Sequence, residues 1–222
     1  MFGIWGAYWG TRSDFFRAID PLLEKLPQNT KVTLDEGDWL TSLRGFYGGA
    51  ALPQPEEYRQ RETFFAKSLV SPEKLATPAL HSFFGYLSSP RARNAPINWW
   101  VMLDLYGGTG SAISAFPNSW SSYAHRDALW TIQLYSYTDD HLPPLRDDTY
   151  PFMEDMLRSL TSAQKEAKFG AYLNYFDPTI PVRKAHALYY GDHLQRLVEV
   201  KRAVDPKMRF WHPHAVGIDG DM

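Results

Sequence analysis

The chain contains no cysteine among its 222 residues. Disulfide frameworks and thiolate metal sites are thereby excluded, and the redox compartment stays undecided. Excess charge of one sign is also scarce: 23 Lys and Arg stand against 25 Asp and Glu, interspersed, for a net −2. That balance offers no footprint for nucleic acid or an anionic membrane. No apolar run approaches the roughly 20 residues that cross a bilayer. Met1 to Gly10 is apolar but carries neither a basic leader nor a small-residue cleavage pattern, so a signal peptide is not expected. No internal repeat or low-complexity tract occurs. The expectation is a soluble protein, or a soluble piece of one, long enough to bury a core.

What is abundant is aromatic surface: 15% of the residues, including 8 Trp and 13 Tyr. Rings in that number line flat-ligand and sugar clefts as well as pack cores. The most informative stretch is Ile97 to Gly108. As a strand it puts Trp99, Val101, Leu103 and Leu105 on one side and Trp100, Met102, Asp104 and Tyr106 on the other. The first side reads as core, the second as a ligand wall. A carboxylate among aromatics on so apolar a strand must be solvated, paired or chemically used.

Elsewhere, Phe2 to Gly10 and Lys31 to Leu34 are strand candidates. Between them Ser13 caps a helix with apolar positions Phe15, Phe16, Ile19, Leu22, Leu23 and Leu26, with Pro21 as a kink or break. Asp38 to Leu43 suits one or two helical turns before a Gly48-Gly49 loop, and Pro53 to Arg61 a polar connection. Glu62 to Val70 reads as a strand, and Ser71-Pro72 and Thr77-Pro78 as helix starts, the second helix facing inward through Leu80, Phe83, Phe84 and Leu87. Ser88 to Pro96 reads as a polar loop. A short strand is expected after Gly108, then an irregular Pro117 to Asp127. Leu129 to Tyr137 alternates, with Gln133 on a polar, aromatic face like that of Asp104. Phe152, Met153, Met156, Leu157 and Leu160 mark a helix from Thr149. Phe169 to Phe176 reads as a strand, and Asp192 caps a last helix stopped near Asp205-Pro206. One polar face on several strands argues for an α+β layer, helices on one side of a mostly antiparallel sheet.

Several chemical motifs are wanting. Gly107-Gly108-Thr109-Gly110-Ser111 lacks the third glycine of a dinucleotide fingerprint and the lysine of a P-loop, so it reads as a tight turn. No G-x-S-x-G elbow supports a hydrolase. His212, His214 and the scattered His81, His125, His141, His186 and His193 have no metal-ligand spacing. Around Tyr172 to Pro178, two tyrosines either pack or act; a phenol works as a base only when tuned below its ordinary pKa of about 10.

Five blocks, taken together, carry a resemblance. They are Asn98-Trp99-Trp100-x-x-x-Asp104-x-x-Gly107-Gly108; Tyr123-x-His125-Arg126-Asp127; Ile132-Gln133; Tyr172-x-Asn174-Tyr175-x-Asp177-Pro178; and Tyr189-Tyr190-Gly191 running on to Arg196-Leu197, Lys201, Asp205-Pro206 and Phe210. In this order, with Phe64 to Leu69 before them, they resemble the C-terminal half of flavin-linked oxidases of the berberine-bridge type, in particular fungal glucooligosaccharide oxidases. The resemblance implies a substrate-binding domain over 1–170 and a berberine-bridge-type segment over 171–222 that packs on a flavin domain. It implies Tyr175 as catalytic base and Asp104 as the assisting carboxylate. Trp100 would stack on a sugar ring, Gln133 would bind hydroxyls, and Tyr172 and Asn174 would line the flavin side. Strict alternation separates Tyr172 and Asn174 from Tyr175, so these roles require a bend.

The implied cofactor is FAD, held mainly by a flavin-binding half outside this chain, from the same protein or a partner chain; no metal is implied. The implied substrate is a small molecule, an oligosaccharide oxidised at its anomeric carbon to a lactone or a related alcohol. Met102 stands where the oligosaccharide oxidases carry a sugar-binding Gln, which points toward a less polar substrate. The alternative is a flavin-free ligand-binding, scaffold or non-redox cyclase protein derived from such an oxidase. An exposed apolar surface is expected around Tyr189, Tyr190 and the final helix.

Overall fold

The computed structural model describes residues 2–46 and 62–217; the expected Gly48-Gly49 loop and the connection over Pro53 to Arg61 lie outside the described residues. The chain divides into two compact units, Met1–Arg59 and Gln60–Met222.

In the first unit, α1 spans Arg12–Leu23 and α2 Trp39–Phe46. Thr11, not Ser13, caps α1: its Oγ1 accepts the Asp14 N–H at 3.2 Å. Ser13 lies one residue inside the helix, its hydroxyl 3.0 Å from that of Thr11. Pro21 sits within α1, which ends two residues later, in keeping with the donor that proline removes. The expected strands at Phe2 to Gly10 and Lys31 to Leu34 do not form. Neither segment has a ladder partner among the described residues, and alternation alone cannot satisfy an extended backbone. Aromatic rings pair locally instead, Trp9 with Trp39 at 5.2 Å and Tyr8 with Phe15 at 5.9 Å. No described residue of this unit is buried, so its apolar helix face stays partly open.

The second unit is an α+β layer, as the one-sided strands imply. Three antiparallel strands, β1 (Phe64–Ser71), β2 (Asn98–Leu105) and β3 (Trp130–Tyr137), lie in the order β1-β3-β2. Helices α3 (Thr77–Ser88) and α5 (Thr149–Thr161) contribute to the core on one face. Phe65, Leu69, Ile132 and Leu134 meet Phe83, Phe152, Met153, Met156 and Leu160 there, with Trp99, Val101 and Leu103 packed around them. Full burial of one such side chain is worth about 1.5–3 kcal/mol, which fixes the strand register and sends the alternate residues to the opposite face.

Local differences from the sequence reading have identifiable causes. Ser71-Pro72 starts no helix, because Ser71 ends β1 and its hydroxyl bonds back to the Glu73 carbonyl at 2.9 Å. At Thr77-Pro78 the cap is Ala76, leaving Pro78 within the first turn where its missing donor is harmless. Ser89 caps a short α4 (Pro90–Arg93) inside the expected loop. After Gly108 two 3-10 turns, Ala112–Ala115 and Asn118–Trp120, replace the expected strand. A helix α6 (Val182–Tyr190) precedes α7 (Leu194–Val204). Asp192 does not cap α7; it lies in the 3-10 turn Gly191–His193, entered through Gly191 at φ +49°. Asp205 ends α7 as expected, its carboxylate accepting from Lys201 Nζ at 2.5 Å and from the Arg209 and Phe210 N–H groups.

Candidate active site

The face of the sheet away from the helix-packed core carries the residues singled out from sequence. Cross-strand pairing sets Trp100 opposite Tyr135, Met102 opposite Gln133 and Asp104 opposite Thr131. Trp100, Tyr135 and Phe64 form a stacked file, with ring centroids 4.7 and 5.1 Å apart. Half of Trp100 is therefore committed to Tyr135, leaving its outer face for a ligand.

The segment expected as the strand Phe169 to Phe176 is instead one bridge followed by a turn. Gly170 pairs with Val70, N–H to carbonyl at 2.9 and 2.8 Å. The Tyr172 N–H then goes to Ser68 Oγ at 2.8 Å rather than to a ladder partner, and the Tyr175 N–H folds back to the Tyr172 carbonyl at 2.9 Å. This is the bend that the alternation demands. Asn174 donates to the Tyr172 hydroxyl at 2.9 Å, and the Tyr172 and Tyr175 rings meet edge-on at 5.0 Å.

The turn separates two cavities. One, of about 340 Å³, is walled by Tyr106, Tyr123, His125, Tyr172, Asn174, Tyr189 and Tyr190. The other, of about 440 Å³, is lined by Phe64, Gln133, Tyr135, Asn174, Tyr175 and Phe176 among others. Gln133 and Tyr175 thus share a cavity, and Tyr172 and Asn174 share its neighbour, with Asn174 facing both. Trp100, Met102 and Asp104 line neither cavity but lie on the same sheet face.

Asp104 and Tyr175 are electrostatically coupled without a hydrogen bond between them among the described residues. Burial raises the pKa of the Asp104 carboxyl above its ordinary range, which makes the carboxylate a better proton acceptor. The Tyr175 phenol is also pushed up, first by burial, then by the Asp104 charge and by Tyr172. Tyr106, beside them, rises to about 12 for the same leading reason. A spontaneously ionised Tyr175 is therefore disfavoured.

Three further residues hold the site; they fall inside the segments that carry the resemblance but are given no role there. His125 lies half-buried in the wall, its ring nitrogen Nε2 3.1 Å from the Ala171 carbonyl. Ser68 grips Tyr172. Lys67, only 3% exposed, meets Asp177 Oδ2 at 2.5 Å and Glu154 at 3.1 Å. A lysine inside an otherwise apolar strand was the available signal, because a buried ammonium requires a partner. Breaking such a pair by removing one member costs about 3–5 kcal/mol.

The apolar surface lies only partly where expected, at the end of the final helix and beyond it. Tyr189 and Tyr190 are buried, tied in by Ala171 and Ala185, whereas Val204, Phe210 and Trp211 are exposed, Phe210 by 80%. No metal-binding group of side chains occurs among the described residues, and no described helix is long and apolar enough to cross a membrane.

Residues 171–217 match the family described as berberine and berberine like. The chain is 33% identical to a xylooligosaccharide oxidase of Thermothelomyces thermophilus over 95% of its length, covering 42% of that protein. With the carbohydrate oxidase of Microdochium nivale it shares 32% identity over 96% of its length and 43% of the relative. The solved structure of the Microdochium nivale enzyme with a substrate analogue superposes with a TM-score of 0.80 at 31% identity, over 95% of this chain and 44% of that one. A glucooligosaccharide oxidase from Acremonium strictum, which carries a 6-S-cysteinyl, 8α-N1-histidyl FAD, also gives 0.80 at 30% identity, over 94% and 44%. The chain therefore spans less than half the length of the curated relatives it matches. It is similar to the C-terminal part of fungal carbohydrate oxidases, as its motif order implies.

Proposed function

We propose that this chain is the substrate-bearing part of an FAD-dependent oxidase acting on the anomeric hydroxyl of an oligosaccharide or a related alcohol. In this reading 1–170 forms the substrate-binding part and 171–222 the berberine-bridge-type segment. The flavin is held mainly by a flavin-binding portion of the same protein or by a partner chain. The observation that supports it most is the turn at Tyr172 to Tyr175, which turns a hydrogen-bonded Tyr172–Asn174 pair toward one cavity and Tyr175 toward Gln133 in the next.

The residues present fit an FAD ring edge. The first cavity has aromatic walls from Tyr106, Tyr123 and Tyr172 and a side-chain amide at Asn174, and the buried Tyr123 hydroxyl has no hydrogen-bond partner of good geometry among the described residues. Flat rings with polar edges suit such a lining. The chemistry that FAD supplies when bound is acceptance of a hydride from the carbinol carbon. On this chain's side, Tyr175 takes the hydroxyl proton and passes its own to Asp104, whose raised basicity suits that task. Trp100 offers its free face to a sugar ring, and Gln133 holds hydroxyls.

The test is to purify the chain alone and together with a flavin-binding portion, then measure flavin absorbance and peroxide release with xylo-, cello- and malto-oligosaccharides. Yellow protein and peroxide in the combined sample are expected. A second reading, a flavin-free ligand-binding, scaffold or cyclase protein, draws on the raised Tyr175 pKa, which suits a neutral phenol that only donates a hydrogen bond. Colourless protein in both samples with saccharide binding intact selects it.

A further inference from the structure

We propose that Lys67 is the positioning residue for the Tyr175 phenol, acting through its buried ion pair with Asp177; this rests on the reading that Tyr175 meets the substrate.

Lys67 and Ser68 are consecutive on β1, so their side chains leave the strand in opposite directions, and both reach the same turn. Ser68 Oγ accepts the Tyr172 N–H at 2.8 Å, at one end of the turn. Lys67 Nζ reaches Asp177 Oδ2 at 2.5 Å and Thr179 Oγ1 at 3.3 Å, at the other end. Asp177 is 2% exposed and fully engaged. Its other oxygen accepts from the Thr179 N–H at 2.9 Å and hydroxyl at 2.6 Å, and its own N–H points to the Tyr189 hydroxyl at 3.2 Å.

Tyr175 lies between these two grips. Among the described residues no hydrogen bond ends on its hydroxyl, and its ring is steadied by edge-on contact with Tyr172. The ring therefore goes where the backbone carries it, and the backbone is set at Tyr172 and Asp177. Without the ammonium, a buried carboxylate oxygen loses its countercharge and must seek water. Lifting the Asp177 end of the turn toward water relieves that charge and shifts Tyr175 within the cavity it shares with Gln133.

The experiment uses the full chain labelled with 13Cζ-tyrosine, with the Tyr175 signal assigned by Tyr175→Phe. Lys67→Met keeps the stem and removes the charge; Asp177→Asn removes the opposite charge and leaves the ammonium with Glu154. In both variants the Tyr175 and Tyr172 signals should shift or broaden while that of Tyr86 on α3 holds still. An unmoved Tyr175 signal in folded variants overturns the proposal. If Lys67→Met fails to fold, Asp177→Asn carries the measurement; unfolding of both assigns the pair to fold stability and also overturns it.

With the flavin-binding portion supplied, Lys67→Met should lower kcat by about 10²-fold with KM little changed, the scale expected of a misplacement near 1 Å. An unchanged kcat in that assay overturns the proposal too. Tyr175→Phe in the same assay tests the underlying reading separately: full turnover there removes the phenol's role, whatever the Lys67 variants show of its placement.

Discussion

The His125 imidazole fills the space that any side chain at position 170 would need. A Cβ added to Gly170 would run into three atoms of that ring, while the same ring bonds the Ala171 carbonyl at 3.1 Å. Gly170→Ala should therefore push His125 out of the cavity wall and strain the bridge to Val70. Overpacking of this kind costs about 1–3 kcal/mol. In a chain of this size that lowers the melting temperature by roughly 2–4 °C per kcal/mol, readable by scanning fluorimetry. An unchanged melting temperature would show that the ring yields freely.

His125 also supplies a pH dependence. Burial, as the leading cause, lowers its pKa below the ordinary value of 6.5, so the native protein keeps it neutral. The unfolded chain then takes up the proton first. Its contribution to stability is whole above about pH 6.5 and is lost as pH falls toward the lower native value. His125→Gln should flatten the part of the melting-temperature profile between pH 7 and 5 that this group creates. A slope identical to that of the parent protein would assign the loss to other groups.

For Asp104 the sign is reversed. Its native pKa is raised by burial, so the folded state binds the proton more readily than the unfolded one and the charged form carries a penalty. That penalty develops as pH rises through the ordinary carboxylate range and is complete above the native value. Asp104→Asn should melt higher than the parent at pH 7, and the difference should close as the pH approaches 4. A variant less stable at pH 7 would reveal a partner for the carboxylate.

Met102 faces Gln133 across the β2–β3 pair, so Met102→Gln would put two amides side by side on the ligand wall. Each new hydrogen bond to a sugar hydroxyl is worth about 0.5–1.5 kcal/mol, or roughly 2- to 10-fold in affinity. Calorimetry with xylo- and cello-oligosaccharides should show tightening of that size. No change, or weaker binding, would mean that Met102 lies outside the saccharide's reach.

The two faces of β2 and β3 are legible in the sequence because period-two alternation is enforced by a core on one side only. Trp99, Val101 and Leu103 go to the helices and Trp100, Met102 and Asp104 do not, and the register follows. The turn at Tyr172 to Asp177 is illegible locally. Its residues alternate like a strand, and it bends because Ser68, far upstream, claims the Tyr172 N–H that a ladder would have used, while Lys67 holds the Asp177 carboxylate. The same limit explains Phe2 to Gly10, where the pattern of a strand exists without a neighbour to pair with. Alternation puts Gln133 on the face of Asp104, but only the resemblance gives it and Tyr175 a role; nothing local to His125 hints that Gly170 is bare beneath its ring.

The strand order β1-β3-β2 has a further consequence during synthesis. The middle strand is the last of the three to leave the ribosome, and until residue 137 emerges β1 and β2 have nothing to zip against. A nascent chain stalled short of that point would hold two bare edges and half a core. Versions ending before Tyr137 should consequently be recovered as aggregate or bound to chaperones, while those extending past α5 can close the sheet.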